Sequence, residues 1–301
     1  MTTQTRTQPP DAAALRQALS QVLDRLQSQP SRTWSIIITF YGDALLPRGG
    51  SVWLGTLNSF FKGLDIADGV VRTAMSRLAA DGWLERNKVG RNSFYRLGAK
   101  GRETFFEAAN RIYNPKVADW DGHFTILMPA PGPDRDILRK ALEQAGYGAP
   151  LPGTWIAPSG WTIPEVARDE PRLVAQGSEA DMRALAERAW PLAVLADHYR
   201  HFIADFSPLL AALEQGLHPS DLGAITARVL MIYEYRRIVL RDPGLPAAIL
   251  PANWPGTAAR QLCAALYRHL AAASERWLDQ NGMDEDGPLK PSRISMADRF
   301  V

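Results

Sequence analysis

Cysteine is almost missing from this chain. Its single copy, Cys263, cannot form an internal disulfide, so no oxidised staple supports the fold. Cys263 lies on a helical stripe with Leu262, Leu266 and Leu270, the setting of a buried core thiol. Long apolar runs are missing as well. Ile36-Ile37-Ile38 is a short patch, far below the ~18 residues of a membrane span. Met1 to Pro10 is rich in Thr and Gln, carries one arginine and has no apolar core, which argues against a signal peptide and reads as disordered. A cytoplasmic protein is expected. Common enzyme motifs are absent: no G-x-x-x-x-G-K-[ST], G-x-S-x-G, H-E-x-x-H or G-x-G-x-x-G. Of the histidines, His123, His218 and His269 stand isolated. His198 and His201 fall at i and i+3 near Asp197 and Asp205, which suits either a metal site or an ordinary helix face. With no cysteine to assist, neither a metal nor a cofactor is expected.

What is present centres on Gly63 to Leu97. Val71, Ala74, Met75 and Leu78 recur at i, i+3, i+4 and i+7 and form one apolar stripe of a helix. The other side carries Arg72, Thr73, Ser76 and Arg77. Asp81-Gly82 ends the helix, with Gly82 suited to a left-handed cap. Trp83 to Arg86 and Ser93 to Leu97 then read as two strands around the basic stretch Asn87 to Asn92. Ahead of this lie two further helices. Trp34, Ile37, Ile38 and Tyr41 share one face, which Gly42-Asp43 closes; Leu54, Leu57, Phe60 and Phe61 share another. Three short helices and a hairpin in this order make a winged helix-turn-helix. Its arginine helix can enter a major groove while the hairpin tip meets phosphates. Base-edge or phosphate roles are expected for Arg72, Thr73, Ser76 and Arg77, although Asp81 at i+4 can pair with Arg77. Phosphate roles are expected for Lys88 and Arg91, with Asn92 beside them. From Arg32 to Arg111 twelve cations face seven acids, a local charge of +5 in a chain of only +2. A basic module on a near-neutral remainder is the footprint of phosphate binding.

The expected organisation is α+β. Residues 1–30 form a flexible N-terminus with a short helix, 31–113 the winged helix, 114–190 a small ferredoxin-like α+β domain, 191–281 a helical effector and dimerisation domain, and 282–301 a polar, mobile tail. Leu15, Leu19, Val22 and Leu26 make a narrow seam that suits either a dimer contact or packing on its own domain. In the middle domain, strands are predicted over His123–Met128, Thr154–Ala157 and Leu173–Gln176, and helices over Pro133–Gly146 and Glu179–Trp190, with the final strand not visible. Long helices are predicted over Asp197–Gln215, Ser220–Leu240 and Gly256–Leu278. A connector stiffened by Pro243, Pro246, Pro251 and Pro255 lies between the last two.

At these residues the chain resembles the PaaX-like repressors of phenylacetic acid catabolism. The matching blocks are Phe40 to Leu45 with Pro47 to Gly50 and Val52 to Leu54; Val71 to Ala74 with Ser76 to Leu78 and Gly82 to Leu84; and Gly90-Arg91 with Tyr95 to Leu97. The match continues in Trp120 to Gly122, Tyr233 to Arg237, Leu240 to Pro243 with Leu245-Pro246, and Leu250-Pro251 with Trp254 to Gly256. The resemblance implies an operator-binding homodimer released from double-stranded DNA by an aryl-acyl-CoA, typically phenylacetyl-CoA. Such a ligand calls for arginine forks on its phosphates, and Arg236, Arg237, Arg241 and Arg260, with Trp254 as an aromatic wall, are the candidates. The same residues suit a structural role, since Glu234 and Asp242 are near and Trp254 can be core. Two departures affect the DNA side: Ala67 stands where a Ser or Asn cap is expected, and Asp65 and Asp68 bring negative charge to a phosphate-facing region. A rival class is an enzyme or nuclease delivered by the winged helix and acting through the ferredoxin-like middle domain, with Asp119 and Asp121 as the only paired acids near that domain's first strand. A ligand-free architectural module is a third.

Overall fold

The computed structural model describes residues 10–27, 33–115, 119–130, 132–295 and 298–300. Expectations placed on residues 1–9, on Arg32 and on the side chain of Leu26 lie outside them. The chain divides into two compact units. One comprises residues 1–115, 201–239 and 258–301, the other residues 116–200 and 240–257. Of the helical stretch 191–281, residues 201–239 and 258–281 fall in the first unit, and residues 191–200 and the proline connector in the second.

In the first unit, helices α1 (Pro10–Ala18) and α2 (Ser20–Gln27) bury Leu15, Leu19 and Val22. Leu15 fills the space over Gly223, where a Cβ would come within 2.8 Å of its methyl. This part of the seam therefore packs on its own chain. Helix α3 (Thr33–Phe40) does not end at Gly42-Asp43 as predicted. It runs on through a wider π-helical turn, Tyr41–Leu45, and a 3-10 turn, Leu46–Arg48. Gly42 admits the ring of Phe105, which would sit 2.7 Å from any added Cβ, so this glycine serves close packing and not termination.

Strand β1 (Ser51–Trp53) leads into α4 (Leu54–Lys62), whose Leu57, Phe60 and Phe61 are fully buried. Helix α5 (Asp68–Ala80) follows a turn in which Asp65 takes φ 55°. Strands β2 (Leu84–Val89) and β3 (Asn92–Leu97) form the hairpin, and β1 joins it in the order β1-β3-β2. Helix α6 (Ala99–Tyr113) completes this part; sequence periodicity did not single it out.

The second unit holds an antiparallel sheet of β4 (Phe124–Leu127), β5 (Gly148–Leu151), β6 (Thr154–Pro158) and β7 (Arg172–Ala175) in the order β5-β6-β4-β7. That order is ferredoxin-like, and the strand not visible in the sequence is β5. The helices depart from the ferredoxin arrangement. Helix α7 (Arg135–Gln144) follows β4, but β6 passes to β7 with only a 3-10 turn, Glu165–Ala167, and α8 (Glu179–Ala189) comes after the last strand. Side chains alternate across a strand. Leu127 and Ala157 accordingly meet Leu138 and Leu142 of α7, while Phe124 and Ile156 meet Met182 and Ala186 of α8 with Leu245 and Ile249 of the connector. The helices cover opposite faces of the sheet.

Helices α10 (Asp221–Val239) and α11 (Gly256–Asn281) match the predicted spans closely, while α9 (Leu192–Glu214) begins a turn and more ahead of the predicted start at Asp197. Helix α10 is buried on nearly every side from Ala224 to Tyr233, Arg228 included. An all-round apolar helix needs cover on all sides, and within its unit α3 and α6 supply part of it.

The tail corrects the expectation of a mobile segment. Met283–Asp284 and Gly287–Pro288 pair as strands β8 and β9, Leu289 is buried, and Arg299 is only 8% exposed. The Arg293 amide donates to Pro47 O at 2.8 Å and the Phe300 amide to Tyr113 O at 3.1 Å. Polar composition suggested solvent, but these polar groups find partners in the first unit.

Candidate nucleic-acid interface

Helix α5 turns one side inward and leaves the other bare. Val71, Met75 and Leu78 are buried, while Arg72, Thr73, Ser76 and Arg77 are exposed. Thr73 returns its hydroxyl to Gly69 O at 2.9 Å, and Arg77 lies 3.9 Å from Asp81, an exposed pair of small energetic value. Arg72 and Ser76 make no such bond among the described residues. The helix starts without a side-chain cap at Ala67. Asp65 is neutralised by Arg16 at 3.0 Å, so one of the two unwelcome acids is already paired. Gly69 has open space around it, which leaves the start of α5 free to approach another surface closely.

The hairpin is longer than predicted. Val89 pairs with Asn92, which leaves Gly90-Arg91 as a two-residue turn, with Gly90 at φ 59°. A glycine with positive φ at the first turn position, followed by a residue without it, is the type II′ hairpin pattern. Arg91 is thereby placed at the tip, with Lys88 and Asn92 exposed at the strand ends.

The basic excess sorts into two groups. Arg48 is buried and paired with Glu275 and Asp279. Arg96 pairs with Glu85 at 2.9 Å, Arg86 donates to Ser93, Arg102 donates to Leu97 O, and Lys100 lies over the Trp83 ring. These cations serve the fold. Arg72, Lys88 and Arg91, on α5 and the hairpin, are left without an internal partner among the described residues, as is Lys62 at the end of α4.

Beneath this surface lies a site that the sequence reading missed. Asp43 is 1% exposed. Its carboxylate accepts from Arg228 Nε at 2.7 Å, Tyr113 Oη at 2.6 Å, Tyr267 Oη at 3.1 Å and Arg299 at 2.5 Å. Arg228 also reaches Glu275 at 2.7 Å. Burial pushes the Asp43 carboxyl up, but Arg228 and Arg299 outweigh it and hold the group below its ordinary value. Burial and the neighbouring Asp43 raise Tyr113 well above its ordinary range. The available signal was Arg228, a lone charge inside the apolar run Ala224 to Tyr233.

The effector candidates divide between the two units. Arg236, Arg237 and Arg260 belong to the first unit; Arg241 and Trp254 belong to the second. Arg236 donates to Thr39 at 2.8 Å and to both oxygens of Ser35, tying α10 to α3. Arg237 pairs with Glu234 at 3.0 Å and lies over the Tyr233 ring. Arg260 stacks on Phe300. Trp254 meets Tyr199 edge-on, with ring centres 5.8 Å apart. Arg241 is exposed, with no internal bond among the described residues. Of the paired acids in the rival enzyme reading, Asp121 is occupied, accepting from Ser159 at 2.5 Å and from the His123 amide. Among the described residues no group of three or more His, Cys, Asp or Glu side chains converges, and no helix is long and apolar enough to cross a membrane.

Comparison with known proteins follows the same lines. The profile of a family described as PaaX-like protein matches residues 32–101, and that of the PaaX-like protein C-terminal domain matches residues 190–280. The transcriptional repressor PaaX of Escherichia coli is 35% identical over 282 residues, 88% of this chain and 89% of its own length. An uncharacterized protein from Mycobacterium tuberculosis is similar in fold, with a TM-score of 0.55 and 22% identity, covering 79% of this chain and 97% of its own. A chain matched in both its winged-helix region and its helical region, and related over nearly its whole length, belongs to the PaaX-like family.

Proposed function

We propose that this protein is a DNA-binding transcriptional repressor of aromatic, phenylacetate-type catabolism, acting in the cytoplasm as a homodimer. The observation that carries the reading is the bare face of α5, where Arg72 and Ser76 are uncommitted, next to a hairpin whose tip places Arg91 and Lys88 in solvent. Arg72, Thr73, Ser76 and Arg77 face the major groove, while Lys88, Arg91 and Asn92 meet the phosphates. A single winged helix touches few bases, so specific binding calls for two copies on two half-sites.

Release from DNA falls to an aryl-acyl-CoA, with phenylacetyl-CoA the first to try; the family relationship supports this. The effector binds the DNA-incompetent arrangement better and shifts the population toward it. With Arg236 and Arg237 engaged in the fold, Arg241 is the arginine of the candidate set most available for a ligand phosphate.

The test is a mobility-shift assay with the protein's own upstream DNA. Retarded, intact DNA that is released by the thioester supports the reading. Cleaved DNA, or no preference over scrambled duplex, overturns it.

A further inference from the structure

We infer that the C-terminal strap, described over residues 282–295 and 298–300, is a built-in clasp that holds the winged helix in one setting, with Arg299 on Asp43 as its lock. The inference rests on the DNA-binding reading for its consequence but not for its geometry. The strap and the segment leading into it grip the module at successive points. Thr56, in the first turn of α4, donates to Asn281 O at 2.8 Å, and Ser51 of β1 donates to Glu285 at 2.6 Å. Arg48 reaches Lys290 O at 3.3 Å, and Arg293 N donates to Pro47 O at 2.8 Å. At the end, Arg299 enters the buried site of Asp43, while the Phe300 ring seats among Tyr113, Tyr267 and Tyr235 at 5.3, 5.5 and 6.1 Å.

The charge pattern makes this end a lock. Arg228, Arg299 and Arg48 stand against Asp43, Glu275 and Asp279, three charges of each sign. Withdrawing Arg299 leaves an excess negative charge at a buried carboxylate, so the two positions of the strap differ sharply in energy. Phe300 also holds φ 67°, an uncommon conformation for a bulky residue that persists only where the surroundings enforce it. The clasp is not a lid. Among the described residues none of these bonds reaches α5 or the hairpin tip, so the DNA face stays open while its scaffold is fixed. Release would therefore weaken binding by loss of preorganisation, not by uncovering or blocking a surface.

The experiment compares the full chain with Arg299→Met and Phe300→Ala, using hydrogen exchange and binding to upstream DNA. Both variants should keep a cooperative melt and exchange-protected α9 to α11. Exchange should rise across Ser51 to Lys62, and apparent Kd should rise about tenfold if the competent fraction falls to a tenth. Parent-like exchange and affinity in both variants would overturn the clasp. So would loss of the cooperative melt in both, which would make the strap a piece of core. If the parent protein binds no DNA, the repressor reading falls, and the exchange comparison alone decides whether the strap grips the module.

Discussion

Arg72 and Arg91 carry the same charge but stand on different elements, and their loss should be felt differently. On the proposed roles, Arg91→Ala would remove one phosphate contact per protomer. The slope of log K against log salt should flatten by about 0.9 for each, and operator and random duplex should weaken alike. Arg72→Ala should cost discrimination, about 1–3 kcal/mol per good base contact, with random DNA bound almost as before. Salt titrations on both duplexes separate the two, and the reverse pattern would exchange the roles of helix and wing. Asp43 tests the scaffold. Asp43→Asn leaves Arg299 without its anion and Arg228 with Glu275 alone, and should destabilise by about 3–5 kcal/mol, read as a fall in denaturant midpoint. Because the folded carboxyl sits below its ordinary value, its stabilisation is complete above the unfolded value near 3.8 and is lost as pH falls through the folded one. The variant's stability should therefore vary less with pH in that acid range than the parent's. Sequence patterning exposed the residues of α5 and the hairpin because helical spacing separates wet from dry faces. It could not expose Asp43, because a lone carboxylate near a glycine reads the same whether it ends a helix or anchors a core.

Among the elements, the hairpin offers the cleanest test. Gly90 has open space around it, so Gly90→Ala meets no clash and carries only the backbone strain of φ 59°, about 1–3 kcal/mol. The turn should loosen and random-DNA affinity fall, while the operator preference set by α5 persists. An unchanged affinity would take the tip out of the interface. The elements that escaped the sequence share a cause. Strand β5 carries Gly148 and Pro150, weak strand formers, and its conformation is fixed from outside: Trp190 lies so close over Gly148 that a Cβ would sit 2.5 Å from its ring. Helix α6 is preceded by Gly98 and holds Gly101 in its first turn, the one pressed against the Gly82 carbonyl and the other against that of Trp83. Tertiary contact overrode local propensity in each case. The long helices were legible because their apolar periodicity runs for many turns.

For the whole molecule, two measurements bear on assembly and control. Light scattering should report about twice the 33.3 kDa chain mass, and a strict monomer that still binds one half-site tightly would contradict the homodimer. Phenylacetyl-CoA should raise the melting temperature and weaken operator binding, while free phenylacetate, lacking phosphates, should do neither. Arg241→Ala should blunt that response. A variant that binds operator and answers the thioester in full would free Arg241 from the ligand.

The sequence by itself determined the α+β class, the helix and hairpin of the DNA module, the spans of α10 and α11 and the family. Each is written in local spacing or in contiguous motifs. Only the tertiary structure decided how the chain divides, which helices flank the sheet on which face, and that a polar tail finds its partners in the first unit. It also decided which arginines stay free. A guanidinium has the same identity whether it pairs with Glu275, ties Ser35 to α10 or faces water, and only the partners brought in from distant segments tell these apart. The buried charges of Asp43, Arg228 and Arg299 come from positions up to 256 residues apart and stabilise one another, because each alone would leave an uncompensated charge out of water.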